Sequence, residues 1–190
     1  MKILFGGSFN PFTNGHLKII KFLKIKFPEA KILVVPTNKN YAFYDKTIID
    51  NNHRLNILRI VQRKFPGLFS ISRYEFKNQE FLGTVVTLRH FKHPYFVIGS
   101  DSLKTLKDWK ESSVLVRENR FIVIPRSGAN INGIIENDFP LFKDHFTVLS
   151  DFQETEESSE SFRKTHNESI VLKEVYSYIK KWGLYGVKDI

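Results

Sequence analysis

Two kinds of hydrophobic pattern alternate along the chain. Residues 2–5 and 31–35 are short aliphatic and β-branched runs, each followed by Gly, Pro or Asn, which predicts buried parallel strands. Between them, residues 15–27 place Leu17, Ile20, Leu23 and Phe27 at three- and four-residue steps, with Lys18, Lys21 and Lys24 on another face. That spacing predicts an amphipathic helix, and with the flanking strands a right-handed βαβ unit.

The alternation continues: a helix over 52–64, a strand over 69–74, a helix over 84–91, a strand over 95–98 and a helix over 102–109. Further strands are expected at 121–124 and 146–149 and helices at 159–165 and 168–182, the last stopped by Gly183. The prediction is a single α/β domain over residues 1–190, a Rossmann-like doubly wound parallel sheet with helices on both faces. Ligands should lie beyond the carboxyl ends of its strands. Residues 158–185 form its C-terminal helical part.

Composition narrows the classes. At 190 residues, 42% hydrophobic and 26% charged, the chain can build a full core and is neither disordered nor fibrous. With no cysteine, disulfides, thiolate nucleophiles and Cys-ligated metals are excluded. No apolar run approaches a membrane span, and Met1 leads directly into the first strand, so a cytoplasmic protein without membrane association is expected. Lys+Arg outnumber Asp+Glu by 29 to 20, a balance that favours anionic partners without choosing among them. Most aromatics fall at apolar periodic positions rather than interleaving with Lys and Arg, which argues against nucleic acid.

The candidate chemistry sits in Gly6-Gly7-Ser8-Phe9-Asn10-Pro11-Phe12-Thr13-Asn14-Gly15-His16, between the first strand and the first helix. A phosphate is commonly held at that position, on backbone N–H groups at a helix start. The loop lacks the Gly-Lys-Ser/Thr of a Walker loop and the glycine spacing of a dinucleotide fingerprint.

Thr13-Asn14-Gly15-His16 resembles the His-or-Thr, any residue, Gly, His signature of the nucleotidyltransferase superfamily. With Gly6 to Pro11 it is similar to the bacterial nicotinate-nucleotide adenylyltransferases, which join ATP to nicotinate mononucleotide and release pyrophosphate. Gly99-Ser100-Asp101-Ser102-Leu103 with Trp109, the run Gly83-Thr84-Val85-Val86-Thr87-Leu88, and Ser158-Ser159 followed by Arg163 resemble the family's further motifs. The chain departs from the subfamily in Thr13, where His is usual, in Gly83, where Tyr is usual, and in Glu157 and Glu160.

The resemblance implies roles. His16, Thr13 and Lys46 would act at the reacting phosphates. Gly7, Ser8, Phe9, Gly15, His16, Asp101, Ser158, Ser159 and Arg163 would hold ATP. Lys46, Arg54, Thr84, Thr87 and Trp109 would hold the acceptor, with Trp109 stacked on its pyridine ring. The bland readings are a solvated basic face for Lys46 and Arg54, helix caps for Asp101 and for Ser158 and Ser159, where capping is compatible with binding, and a core position for Trp109. Mg²⁺ would arrive on the triphosphate, and the sequence displays no carboxylate cluster of its own for a metal. Small-molecule substrates are the expected partners, and a homo-oligomer is left open. The alternatives are a phosphopantetheine adenylyltransferase, which Thr13 and Asn14 favour and Trp109 and the Thr84/Thr87 run oppose, and a nucleotide-binding homologue of weak activity.

Overall fold

The computed structural model describes residues 1–41, 48–126 and 128–188. Six parallel strands form one sheet in the order β3-β2-β1-β4-β5-β6. They are β1 (Lys2–Gly7), β2 (Lys31–Pro36), β3 (Ser70–Ile71), β4 (Tyr95–Gly99), β5 (Phe121–Ile124) and β6 (Phe146–Val148). The order reverses between β1 and β4, which opens a crevice at their carboxyl ends. β1 pairs in register with β2, from Lys2 opposite Lys31 to Gly7 opposite Pro36, and with β4 through Phe5 and Val97.

Alternate residues of each strand enter different cores. Ile3, Phe5, Ile122 and Ile124 pack on the face covered by α1 (Asn14–Lys26), α2 (Asn51–Lys64), α7 (Ser159–Thr165) and α8 (Lys173–Lys181). Leu4, Phe96, Phe121 and Val123 pack on the face covered by α3 (Thr84–His90), α4 (Ser100–Thr105), α5 (Ser112–Glu118) and α6 (Ile131–Asp138). Because both faces are covered, the strands read as continuous apolar runs instead of alternating ones.

Four differences from the predicted elements have physical causes. β3 is two residues long rather than six: at the sheet edge its ladder ends with Ser72 N–H donating to the Val34 carbonyl at 2.9 Å. The chain then turns so that Tyr74 stacks on His90 at 3.9 Å. α4 starts at Ser100 and gives way to a 3₁₀ turn over Leu106–Asp108, leaving Trp109 outside any helix. The helix expected from 168 starts at Lys173, after a 3₁₀ turn whose Ser169 N–H is held by the Asn167 side chain. α5 and α6 have no counterpart among the predicted elements. α5 is seven residues with two valines, and α6 carries Asn132-Gly133 in its first turn, where only the Asn130 cap to Gly133 N–H marks a start. Among the described residues no helix is long and apolar enough to cross a membrane.

Candidate active site

Two cavities open at the carboxyl ends of β1, β4 and β5 and share a wall of His16, Ile19, Asp101, Ile124 and Arg126. The first, about 700 Å³, is mostly apolar, with Phe5, Val35, Phe81, Leu88, Phe96 and Trp109 around the polar Thr84, Glu75 and Lys110. The second, about 360 Å³, is polar and is lined by Ser8, Gly15, Ser158, Ser159 and Arg163. The first loop and the start of α7, more than 140 residues apart in sequence, therefore meet at one place.

Their approach depends on Gly15. A Cβ there would lie 2.2 Å from the Glu157 carbonyl oxygen, so no other residue lets the 155–158 loop close on α1. Four bonds then lock the two segments together. Thr13 Oγ1 donates to the Glu157 carbonyl at 2.8 Å, Ser159 Oγ to the Pro11 carbonyl at 2.7 Å and Arg163 to the Asn10 carbonyl at 2.5 Å. Lys18 pairs with the Glu157 carboxylate at 2.7 Å, where it and the Thr155 hydroxyl help hold that acid below its ordinary pKa.

His16 occupies the third position of α1, half-buried among Phe5, Phe9 and Phe12, with ring centroids 6.1, 5.1 and 5.2 Å away. The Thr13 backbone N–H donates to its Nδ1 at 3.0 Å. An Nδ1 that accepts cannot carry the proton of the neutral ring, so the proton resides on Nε2. Burial, and then the positive charge of Arg126, push the His16 pKa from 6.5 down to about 3. The ring is therefore a neutral Nε2–H donor at neutral pH.

This shift has a sign that can be measured. A histidine that binds its proton near pH 6.5 unfolded and only near 3 folded costs no stability above 6.5, and destabilises progressively as pH falls from 6.5 to 3. Wild-type protein should lose more stability across that window than a His16→Asn variant, read from urea midpoints at pH 7 and pH 4.

Arg126, which the sequence reading overlooks, stands two residues past β5 and lines both cavities. Fully buried Ser100 sets it: its Oγ accepts the Arg126 N–H at 3.0 Å and donates to the Arg126 carbonyl at 2.8 Å, stapling the ends of β4 and β5. The rule that ligands sit beyond strand ends marks Asp101 and Arg126 alike. Asp101 is exposed where the cavities join, with Lys104 4.0 Å away. Glu75, also overlooked, is 5% exposed and accepts from the Tyr41 hydroxyl on one carboxylate oxygen and from the Thr87 hydroxyl on the other. Burial, and then that contact, hold the Tyr41 phenol above its ordinary pKa.

Several expected ligand residues have other duties. Arg54 reaches neither cavity: it is 0% exposed and donates to the carbonyls of Ser8 (2.6 Å), Thr37 (2.7 Å) and Ile49 (3.2 Å), which fixes the loop instead of a substrate. Thr13 is 2% exposed and its hydroxyl donates to the Glu157 carbonyl, so it positions His16 through its backbone N–H while its hydroxyl is turned away from a phosphate. Phe9 is a core residue, 1% exposed, packed on Phe5 and Phe12. Thr87 lines the first cavity but gives its hydroxyl to Glu75. Ser158 caps α7 by accepting the Ser161 N–H at 3.0 Å. Thr84 and Trp109 line the first cavity and Gly7 borders it. Lys46 lies outside the described residues.

A parallel sheet of this order, with two cavities of opposite character meeting beside a His at the start of its first helix, defines a nucleotide-binding α/β protein. The chain belongs to the cytidylyltransferase-like family, whose model matches residues 4–166. It is 32% identical, over 90% of its length and 88% of the relative's, to a probable nicotinate-nucleotide adenylyltransferase of Acholeplasma laidlawii. It is 29% identical, over 97% of its length and 98% of the relative's, to one of Clostridium tetani with the same name. In fold it is similar to the Plasmodium falciparum nicotinic acid mononucleotide adenylyltransferase complexed with NaAD, with a TM-score of 0.81, 23% identity and 98% of both chains covered.

Proposed function

We propose that this chain transfers the adenylyl group of ATP to nicotinate mononucleotide, giving nicotinate adenine dinucleotide and pyrophosphate. The observation that carries the reading is the shared wall: an apolar cavity with an indole and a polar cavity with an arginine meet at His16, Asp101 and Arg126. A flat pyridine ring suits the first and a triphosphate the second. The curated relatives bear this activity in their names, and a solved neighbour carries the dinucleotide product.

The chemistry needs no protein nucleophile. A phosphate oxygen of the mononucleotide attacks the α-phosphorus of ATP, the bond from that phosphorus to the bridging α–β oxygen breaks, and pyrophosphate leaves with the electron pair. Positioning and charge stabilisation then supply the rate. His16 Nε2–H donates to an α-phosphate oxygen as charge grows there, Arg126 adds a fixed positive charge beside it, and Arg163 with the start of α7, where the Ser158 hydroxyl keeps its proton and the Ser159 N–H begins the helix, holds the triphosphate. Mg²⁺ carried on the triphosphate would offset its charge, and Asp101, exposed where the two cavities join, is the residue that would face it.

The residues that favour phosphopantetheine as acceptor, Thr13 and Asn14, give their side-chain donors to the carbonyls of Glu157 and Ser169 rather than to a ligand. Pyrophosphate release from ATP and Mg²⁺ should therefore be fastest with nicotinate mononucleotide, slower with nicotinamide mononucleotide and absent with phosphopantetheine. Turnover of phosphopantetheine, or none with either pyridine nucleotide, would overturn the reading.

A further inference from the structure

Glu75 is a buried charge to which the mechanism gives no part. It is 5% exposed, opens the 3₁₀ turn Glu75–Lys77 beyond β3, and lines the first cavity. One carboxylate oxygen accepts from the Tyr41 hydroxyl and the other from the Thr87 hydroxyl, and among the described residues no cation pairs with it. Lys110 and Arg126, the cations that line the same cavity, make no ion pair to it, and the cavity's other acid, Asp101, is exposed at the junction with the second cavity.

The two hydroxyls fix where this charge stands. Thr87 lines the cavity itself, and the buried Tyr41 ring packs 5.2 Å from the ring of Phe81, a further lining residue. The carboxylate is therefore one hydrogen bond from a lining side chain on each flank or from that side chain's direct neighbour, in the wall of a mostly apolar chamber. Hydroxyl donors spread the charge of a carboxylate without cancelling it, and a charge kept out of water without an opposite partner is costly. Such a wall is complementary to a bound cation.

We infer that Glu75 is the counter-charge of the substrate's pyridinium ring, the residue by which this cavity favours an oxidised, cationic ring over a neutral ring of nearly the same shape. The inference rests on the pyridine-nucleotide reading given above. In a pyridine mononucleotide the ring nitrogen is bonded to the ribose, so the ring carries a permanent positive charge whatever its substituent. Trp109 adds to the same preference, because an indole face attracts a cation. The Glu75 share is separable from it, since it follows the charge in the wall and not the stacking. Across a few ångströms of protein with an effective dielectric constant of about 20, that share is about tenfold in affinity.

The test compares nicotinate mononucleotide with its 1,4-dihydro form, which loses the ring charge and keeps the ribose phosphate and the carboxylate. Affinity is read by calorimetric titration without ATP, and turnover by pyrophosphate release, in wild type, Glu75→Gln, Tyr41→Phe and Trp109→Leu. Glu75→Gln keeps an acceptor oxygen and removes the charge, so it should lower the oxidised-to-dihydro affinity ratio about tenfold, with the loss falling on the oxidised form. Tyr41→Phe removes a hydrogen bond and leaves the charge, so it should keep the ratio. A role confined to packing would weaken both forms together, and a Glu75→Gln ratio within twofold of wild type would overturn the assignment. Should Glu75→Gln fail to fold, Trp109→Leu decides: about a tenfold preference for the oxidised ring should remain without the indole, and equal binding of the two forms would overturn the assignment. Wild type that binds the oxidised ring with the expected preference but releases no pyrophosphate would refute adenylyl transfer and leave the role of Glu75 standing.

Discussion

His16→Ala should lower kcat about a hundred- to a thousandfold while KM for ATP moves little, the loss expected on removing one preorganised donor to a developing oxyanion. The magnitude follows from how firmly the donor is held. Thr13 N–H fixes the tautomer at Nδ1, three phenylalanine rings fix the plane, and Gly15 with Glu157 fixes the turn of helix that carries it. No reorganisation is left for the moment of reaction. The bond strengthens as charge builds on the α-phosphate, so its removal appears in kcat rather than in ground-state binding. Steady-state kinetics, with thermal melts to show that the variant is folded, give the answer; a kcat within threefold of wild type would deprive His16 of its role.

Arg54→Met should produce the largest loss of stability, about 3 to 5 kcal/mol, because several buried acceptors lose their donor at once. The substitution strips partners from three carbonyls, those of Ser8, Thr37 and Ile49, and removes a guanidinium lying 5.2 Å from the Phe76 ring centroid. Each buried acceptor left without a donor costs about 1 to 3 kcal/mol. For a chain of 190 residues the melting temperature should fall by roughly 10 °C. Arg54→Lys should recover little, because one ammonium cannot span three acceptors fixed by separate segments. A melting temperature within 2 °C of wild type would show that the network is dispensable.

The contrast between these two residues marks what could be read from sequence. Strand and helix periodicity places β1, β2, β4, β5, α1, α2 and α7 nearly where they stand, because each buries a face whose spacing is written locally. The position of His16 follows from the strand–loop–helix order. The duty of Arg54 does not, since a buried arginine that serves backbone carbonyls and a solvent-facing one that awaits a phosphate look the same in a helix beginning Asn-Asn-His-Arg. Thr13 is similar: only the approach of Glu157, 144 residues away, consumes its hydroxyl. Arg126 stands just past a predicted strand, and only the staple from Ser100, distant in sequence, singles it out. α5 and α6 escape because short helices with β-branched or Gly-containing first turns owe their form to packing on the sheet.

At the centre of the account, two cavities join at His16 so that one substrate phosphate can attack another. A crystal structure with nicotinate adenine dinucleotide bound examines this directly. The account predicts the pyridine ring against Trp109 in the first cavity, the adenosine in the second, and the pyrophosphate bridge between them within hydrogen-bond distance of His16 Nε2 and near Arg126. A product whose two halves share one cavity, or whose bridge lies out of reach of His16, would contradict it.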